Sequence, residues 1–348
     1  MLMLAAMLGI AAVGGILLID EGDDDPDTSN VNDGSDDDAA KSSGSETVSL
    51  DAFVSTGTAA SDQLGGGDAD DLLQGLAGHD QLNGYAGDDS VQGGDGNDSL
   101  HGGEGSDTLQ GDDGDDLLHG EYGDDLLAGN NNDDRLFGHF GEDTLDGGAG
   151  DDHAHGGQGN DTLVGADGRD ALHGNDDDDH LTGGQGQDTL FGGTGNDRLV
   201  GNDDGDTADY LNGGEGNDTI LAGAGDIVTT GAGADSILVG AGDFYVSEDA
   251  NGDSTDPTAP IDLSDFNSNE DQLVVIWEKF GSDTPIVDVS SNPNTPGEHI
   301  VTIDGEEALR VTGPAELAAS DILVVDQEAA ARFGVMAKEA GSGGLTLG

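Results

Sequence analysis

The chain has 348 residues, with 75 Asp or Glu against 8 Lys or Arg, for a formal net charge of −67. With 63 Gly, 4% aromatic residues and no Cys, it holds too little apolar volume for an ordinary packed core, and it excludes disulfides and thiol chemistry. The charge also argues against nucleic acid as a partner, because phosphate needs Lys and Arg, and favours cations and cationic surfaces.

Residues 1–19 are uncharged and almost wholly apolar, interrupted only by Gly9, Gly14 and Gly15. As a helix rising about 1.5 Å per residue, such a run reaches across a bilayer. No Lys or Arg precedes it and no small-x-small cleavage site follows. It reads as a membrane-inserting segment, either an uncleaved anchor or an atypical signal. Residues 20–61 are acidic and rich in Ser and Gly, the composition of a disordered spacer. Within them Asp23, Asp24 and Asp25 read as solvated charge.

From residue 66 to residue 200 one nine-residue phrase, G-G-x-G-x-D-x-L-x, repeats fifteen times. Its first position is always Gly and its sixth always Asp. Its eighth is Leu except at Val91 and Ala154, and its fourth is Gly except at Ala69, Asn132 and Asp177. A period this strict takes precedence over local propensity. Six residues of turn chemistry alternate with three that suit a short strand, whose middle side chain points inward. Two phrases then make one coil with a strand on each side, and coils stack at about 4.8 Å. The expected fold is all-β: a flattened, right-handed parallel solenoid with a thin Leu core.

The spacing lines Asp71, Asp89, Asp107, Asp125, Asp143, Asp161, Asp179 and Asp197 along one edge. It lines Asp80, Asp98, Asp116, Asp134, Asp152, Asp170 and Asp188 along the other. Asp62 and Leu64 extend the register backwards. Beyond residue 200, Asp209 closes a longer unit, Asp218 a normal one, and Asp226 and Asp235 two more. Phe244 then takes the Asp position while Val246 keeps the core position, a transition from Asp-bearing coils to a hydrophobic cap.

This phrase resembles the RTX, or haemolysin-type, calcium-binding repeat, over about half of the chain. The resemblance implies a parallel β-roll over residues 62–246. It implies Ca²⁺ between turns one coil apart, held by two position-six carboxylates and several turn carbonyls. It also implies type I secretion, read from the C-terminus without an N-terminal signal, from which the apolar start departs. The residues suit that chemistry. Ca²⁺ takes six to eight oxygens, and Gly turns leave their carbonyls open to approach. One Leu per nine residues buries too little to offset the ordering of those nine, so folding is expected to depend on calcium.

One outer face carries His101, His119, Phe137, His155, His173 and Phe191 at position nine, with His153 on the same strand as His155. Neighbouring strands would set His155 and His173 about 5 Å apart, and His153 about 7 Å from His155. Two readings follow. The imidazoles share a Zn²⁺, Ni²⁺ or Cu²⁺ ion, or they are simply tolerated on an exposed strand.

Residues 247–260 read as a linker. Asp249, Asn251 and Asp253 mimic the start of an EF-hand loop, but Ser254 and Pro260 stand where its Gly and Glu belong. Composition then becomes ordinary. Strands are predicted over 272–277, 286–290, 299–303, 308–311 and 322–325, with a hairpin at Asp304-Gly305 and a short helix over 314–319. Together 261–326 make a β-rich cap over the solenoid's open edge. Residues 261–266, followed by Asp271-Gln272-Leu273, resemble segments that follow RTX arrays. Residues 327–348 read as an amphipathic helix and tail, where RTX secretion signals lie.

No H-E-x-x-H and no G-x-S-x-G occurs, and His299 and Asp304 read as surface residues. The expected function is therefore not enzymatic. It is a calcium-binding extracellular or cell-surface structural or interaction protein that folds on Ca²⁺. The alternatives are a calcium-dependent adhesin and a secreted protein with a cryptic hydrolase in its C-terminal region. Expected partners are calcium and a cell surface, a glycan, or a membrane through residues 1–19.

Overall fold

The computed structural model describes residues 52, 54–201, 207–240, 260–277, 286–303, 305–312 and 317–326. The expectations for the apolar start, for residues 20–51, for Phe244 and Val246, for most of the 247–260 linker and for 327–348 lie outside them. Among the described residues there is no α-helix, and no helix long and apolar enough to cross a membrane.

The chain winds into two sheets, of thirteen and fourteen strands, built from alternate strands of the sequence. We call them the odd and even sheets. The winding follows from the period. Leu72 pairs with Ser90, and Ser90 with Thr108, so each residue lies beside the one eighteen further on. All pairs in the repeat region are parallel, and position eight faces inward throughout. Leu73, Val91, Leu109 and their counterparts to Leu211 are buried in one continuous core. Val91 and Ala154, the two departures from Leu, are buried in the same cluster.

The strands are longer than the three residues expected. A typical one, β3 (Leu72–Ala77), covers positions seven to nine and continues through one to three of the next phrase. From Leu76 on, position two is left-handed even where it is not Gly, with φ between 76° and 87° at Leu76, Tyr85, Asp112, Glu121, Asn130, His139, Ala166 and Asn175. The turn shrinks to positions four to six. Asn132 and Asp177, replacing Gly at position four, take the left-handed backbone that Asn and Asp tolerate. The roll also begins before Asp62. Strand β1 (Val54–Thr56), within the predicted spacer, pairs with β3.

The C-terminal strands extend both sheets. β22 (Ile261–Ser264) pairs with Ile227–Ala232, and β23 (Gln272–Trp277) with Ser236–Gly240. β27 (Ile322–Asp326) then ends the odd sheet. β26 (Glu306–Thr312) joins β22, and β25 (Glu298–Ile303) and β24 (Val287–Ser291) finish the even sheet antiparallel. The C-terminal strands continue the roll, and Leu263, Leu273, Leu309 and Ile322 join the same core as the repeat leucines. The described part of the predicted 314–319 helix contributes only to a short 3₁₀ turn, Ala319–Asp321.

Candidate metal centre

Every position-six Asp follows a tight turn and precedes an inward-facing apolar residue, so its carboxylate is folded under the turn. From Asp71 to Asp235 these side chains are 0–4% exposed. Asp62, in the first coil, is half-buried. One oxygen of each carboxylate is used by the fold. The Asp62 N–H donates to Asp80 Oδ1 at 2.7 Å, and the pattern repeats one coil on at each step.

Two relays result. One runs Asp71, Asp89, Asp107, Asp125, Asp143, Asp161, Asp179, Asp197, Asp218, Asp235 and on to Asp271. The other runs Asp62, Asp80, Asp98, Asp116, Asp134, Asp152, Asp170, Asp188, Asp209 and Asp226. The irregular units do not break them, because the step widens to 21 residues at Asp188–Asp209 and narrows to 17 at Asp209–Asp226. All twenty predicted ligand residues therefore fall into two columns, buried from Asp71 onward.

The second oxygen is different. Oδ2 of Asp80, Asp89, Asp98, Asp107, Asp116, Asp125, Asp134, Asp143, Asp152, Asp161, Asp170, Asp179, Asp197, Asp218 and Asp235 is buried without a hydrogen-bond partner. Buried polar atoms are almost always satisfied, so a repeated orphan calls for a ligand. Beside all of these but Asp235, where Thr230 stands, the space is kept open by the position-one glycine. A Cβ on Gly129 would stand 2.3 Å from Asp134 Oδ2 and 2.6 Å from the Gly147 carbonyl oxygen. Carboxylate and carbonyl oxygens thus converge on a gap that only glycine leaves.

Burial also moves the carboxyl groups. Desolvation raises Asp125, Asp134, Asp170 and Asp179 to about 8, and a backbone N–H bond offsets it only in part. Asp116, Asp161 and Asp218 rise to about 7 from the same cause. Neighbouring carboxylates add to it, as Asp143 and Asp107 do at Asp125. A charge so placed needs a counter-cation.

A model of the RTX calcium-binding nonapeptide repeat matches residues 65–100, 101–136, 128–163, 137–172, 173–208, 203–226 and 225–243. The chain belongs to this family. It is an RTX calcium-binding repeat protein with a parallel β-roll, as the resemblance implied. Among curated proteins no match is found.

For an RTX repeat the donor set fits. Orphaned carboxylate oxygens and open glycine carbonyls are hard ligands of the kind Ca²⁺ takes. The fit can be probed through the glycine. Gly129→Ala adds one methyl group where Asp134 Oδ2 lies, and Gly129 has no positive φ to confound the result. Overpacking should destabilise the calcium-loaded roll by about 1–3 kcal/mol. Thermal unfolding at fixed Ca²⁺ measures it, and an unchanged midpoint would show that the gap tolerates a Cβ.

Two features escaped the sequence reading. Asp271 accepts the Asp235 N–H at 3.2 Å and the Asn267 N–H at 2.7 Å, continuing the first column. Its signal was present, since Asp271-Gln272-Leu273 repeats Asp80-Gln81-Leu82. Position five forms a second, exposed relay. Asp70 Oδ1 accepts the Asp88 N–H at 3.0 Å, and Asp88 Oδ1 the Ser106 N–H at 2.9 Å.

The histidine face is a stacked ladder. Ring centroids lie 4.9 Å apart for His101–His119, 5.2 Å for Phe137–His155 and 4.7 Å for His155–His173. Ring nitrogens come together as a pair at His119 Nδ1 and His139 Nε2, 2.8 Å apart. Among the described residues, His153 included, no group of three or more ligating side chains is placed to hold a metal ion. The tolerated-ladder reading is therefore the one the geometry favours.

Proposed function

We propose that the chain is an extracellular or cell-surface structural and interaction protein whose β-roll is assembled and held rigid by a series of Ca²⁺ ions. Position-six carboxylates of successive coils, Asp62 to Asp235, hold them together with turn carbonyls. The observation that carries this is the double column of buried Oδ2 atoms, which from Asp80 to Asp179 have no hydrogen-bond partner. An outside location suits a fold that needs abundant calcium and has no Cys. Adhesion through the roll's flat faces, and export by the type I route of RTX proteins, belong to the same reading.

The role is that of a scaffold and not an enzyme. Its carboxylates are tied into relays, which leaves the columns without a paired acid and base facing a cleft. Calorimetric Ca²⁺ titration should count several ions per chain, with Mg²⁺ unable to compete because it demands octahedral geometry and keeps its waters. A single ion per chain, or equal competition by Mg²⁺, would overturn the reading. Calcium-dependent attachment to cells, lost in chelator, would support the adhesive part.

Position within the column should matter. Asp134 is fully enclosed and linked on both sides, to Asp116 and Asp152. Asp62 begins its column and is linked within it only to Asp80. Asp134→Ala should therefore raise the calcium midpoint of folding several-fold more than Asp62→Ala, because order in a repeat array passes through neighbours. Equal shifts in a titration followed by circular dichroism would count against this.

A further inference from the structure

At the N-terminal end of the even sheet, the stacked ladder stops at His101 and a groove of about 330 Å³ opens beside it. It is lined by Gln63, Gln81, Asn83, Tyr85, Ser99 and His101, with Leu64 and Leu82 completing the wall. We propose that this groove binds a neutral pyranose unit of an oligosaccharide. The assignment goes beyond calcium binding but rests on it, since the groove exists only when coils are stacked.

The lining selects the ligand class. In a chain of net charge −67, no Asp, Glu, Lys or Arg lines this groove. Anionic ligands are repelled by the whole molecule, and cations are drawn to the carboxylates elsewhere. A neutral polyol is what amides and hydroxyls recognise, because each offers both a donor and an acceptor. Gln63 Nε2 donates to Gln81 Oε1 at 2.7 Å, which orients both amides and leaves the Gln63 oxygen and the Gln81 amino group for a ligand. The volume lies at the lower end of small-molecule sites, about 300–1,000 Å³.

Tyr85 supplies the apolar surface. Its ring lies across the backbone of Gly65, where a Cβ would meet Cε2 at 3.2 Å, so this glycine lets the ring lie close to the strand. It remains 57% exposed. It also sits at position two with φ 79°, a left-handed conformation costly for a bulky residue where seven of the fifteen copies carry Gly. A flat, rigid, amphipathic ring held at conformational cost beside oriented amides is a suitable stacking platform for a sugar face. His101, also in the lining, is fixed by Nδ1 against Glu121 Oε1 at 3.0 Å.

The left-handed backbone supplies the decisive variant. Tyr85→Gly removes the platform while relieving strain, so the roll should fold at least as readily. The full chain, loaded with Ca²⁺, would be titrated calorimetrically with cellohexaose, maltohexaose and xylohexaose, and with oligogalacturonate as the anionic counterpart. The expected result is binding of at least one neutral oligosaccharide and none of the anionic one. Affinity should fall at least tenfold in Tyr85→Gly and stay unchanged in Gln74→Ala on the odd sheet. Circular dichroism of the same samples reads calcium-induced folding separately from binding. A folded parent that binds none of the neutral sugars, a Tyr85→Gly protein that binds as the parent does, or preference for the anionic sugar overturns the assignment.

Discussion

In excess chelator at pH 7.5 the roll should lose most of its β-structure, and Ca²⁺ should restore it in one cooperative step near about 10⁻⁴–10⁻³ M, the range of extracellular calcium modules. The expectation follows from what the metal-free fold would contain. Its carboxylates lie one coil apart in two columns, with Oδ2 buried and unbonded from Asp80 to Asp179. At several positions column neighbours raise one another's pKa, as Asp116 and Asp152 do at Asp134. Nothing in the thin core offsets this, since one buried Leu per phrase is set against the ordering of nine residues, glycines among them. A cation that binds the folded columns and not the extended chain shifts the balance by mass action, and cooperativity follows because each ion joins two coils. Far-UV circular dichroism with Mg²⁺ as control decides the matter. A full β-spectrum in chelator would show that the columns are stable alone.

The fold and its columns were legible because a strict period states which residues are neighbours before any geometry is known. Asp71 and Asp89 had to be adjacent once the coil was eighteen residues, and the structure bonds them. What the period could not state is which way a backbone turns. Leu76, Tyr85 and His139 give no local sign of a left-handed φ, because the pairing of successive coils imposes it. The six-residue strands escaped for the same reason, since positions one to three are turn-like in composition and become strand only beside their copies. Val54–Thr56 lacks both Asp and Leu, so nothing in the repeat announced it as the first strand. Asp271 was hidden by distance, 36 residues beyond Asp235 rather than eighteen. The orphaned Oδ2 could not be read at all, because it depends on Oδ1 accepting a backbone N–H from the neighbouring coil.

Acid should partly replace calcium. In the metal-free roll, burial raises Asp125, Asp134, Asp170 and Asp179 from 3.8 to about 8, and Asp89, Asp107, Asp143, Asp152, Asp197 and Asp235 to about 6. Between those values the folded state holds protons that the unfolded chain has lost. Its stability contribution from these groups is therefore fully present below 3.8 and disappears as pH rises through about 6 to 8. The histidines oppose this. Burial lowers His119 to about 4 and lowers His155, His173 and His180, so acid works against the fold at those rings. The carboxyl groups outnumber them. In chelator, lowering the pH from 8 to 5 should thus increase β-structure, at a pH still above the isoelectric point of about 4.1, where precipitation would intrude. Calcium should respond in the opposite sense, binding more weakly at pH 5 because protons compete for the same oxygens. Circular dichroism in chelator and calcium calorimetry, each at both pH values, test the two halves. Equal disorder at pH 8 and pH 5 would mean that buried charge is not what keeps the metal-free chain from folding, and the requirement for Ca²⁺ would then lie in bridging the coils rather than in neutralising them.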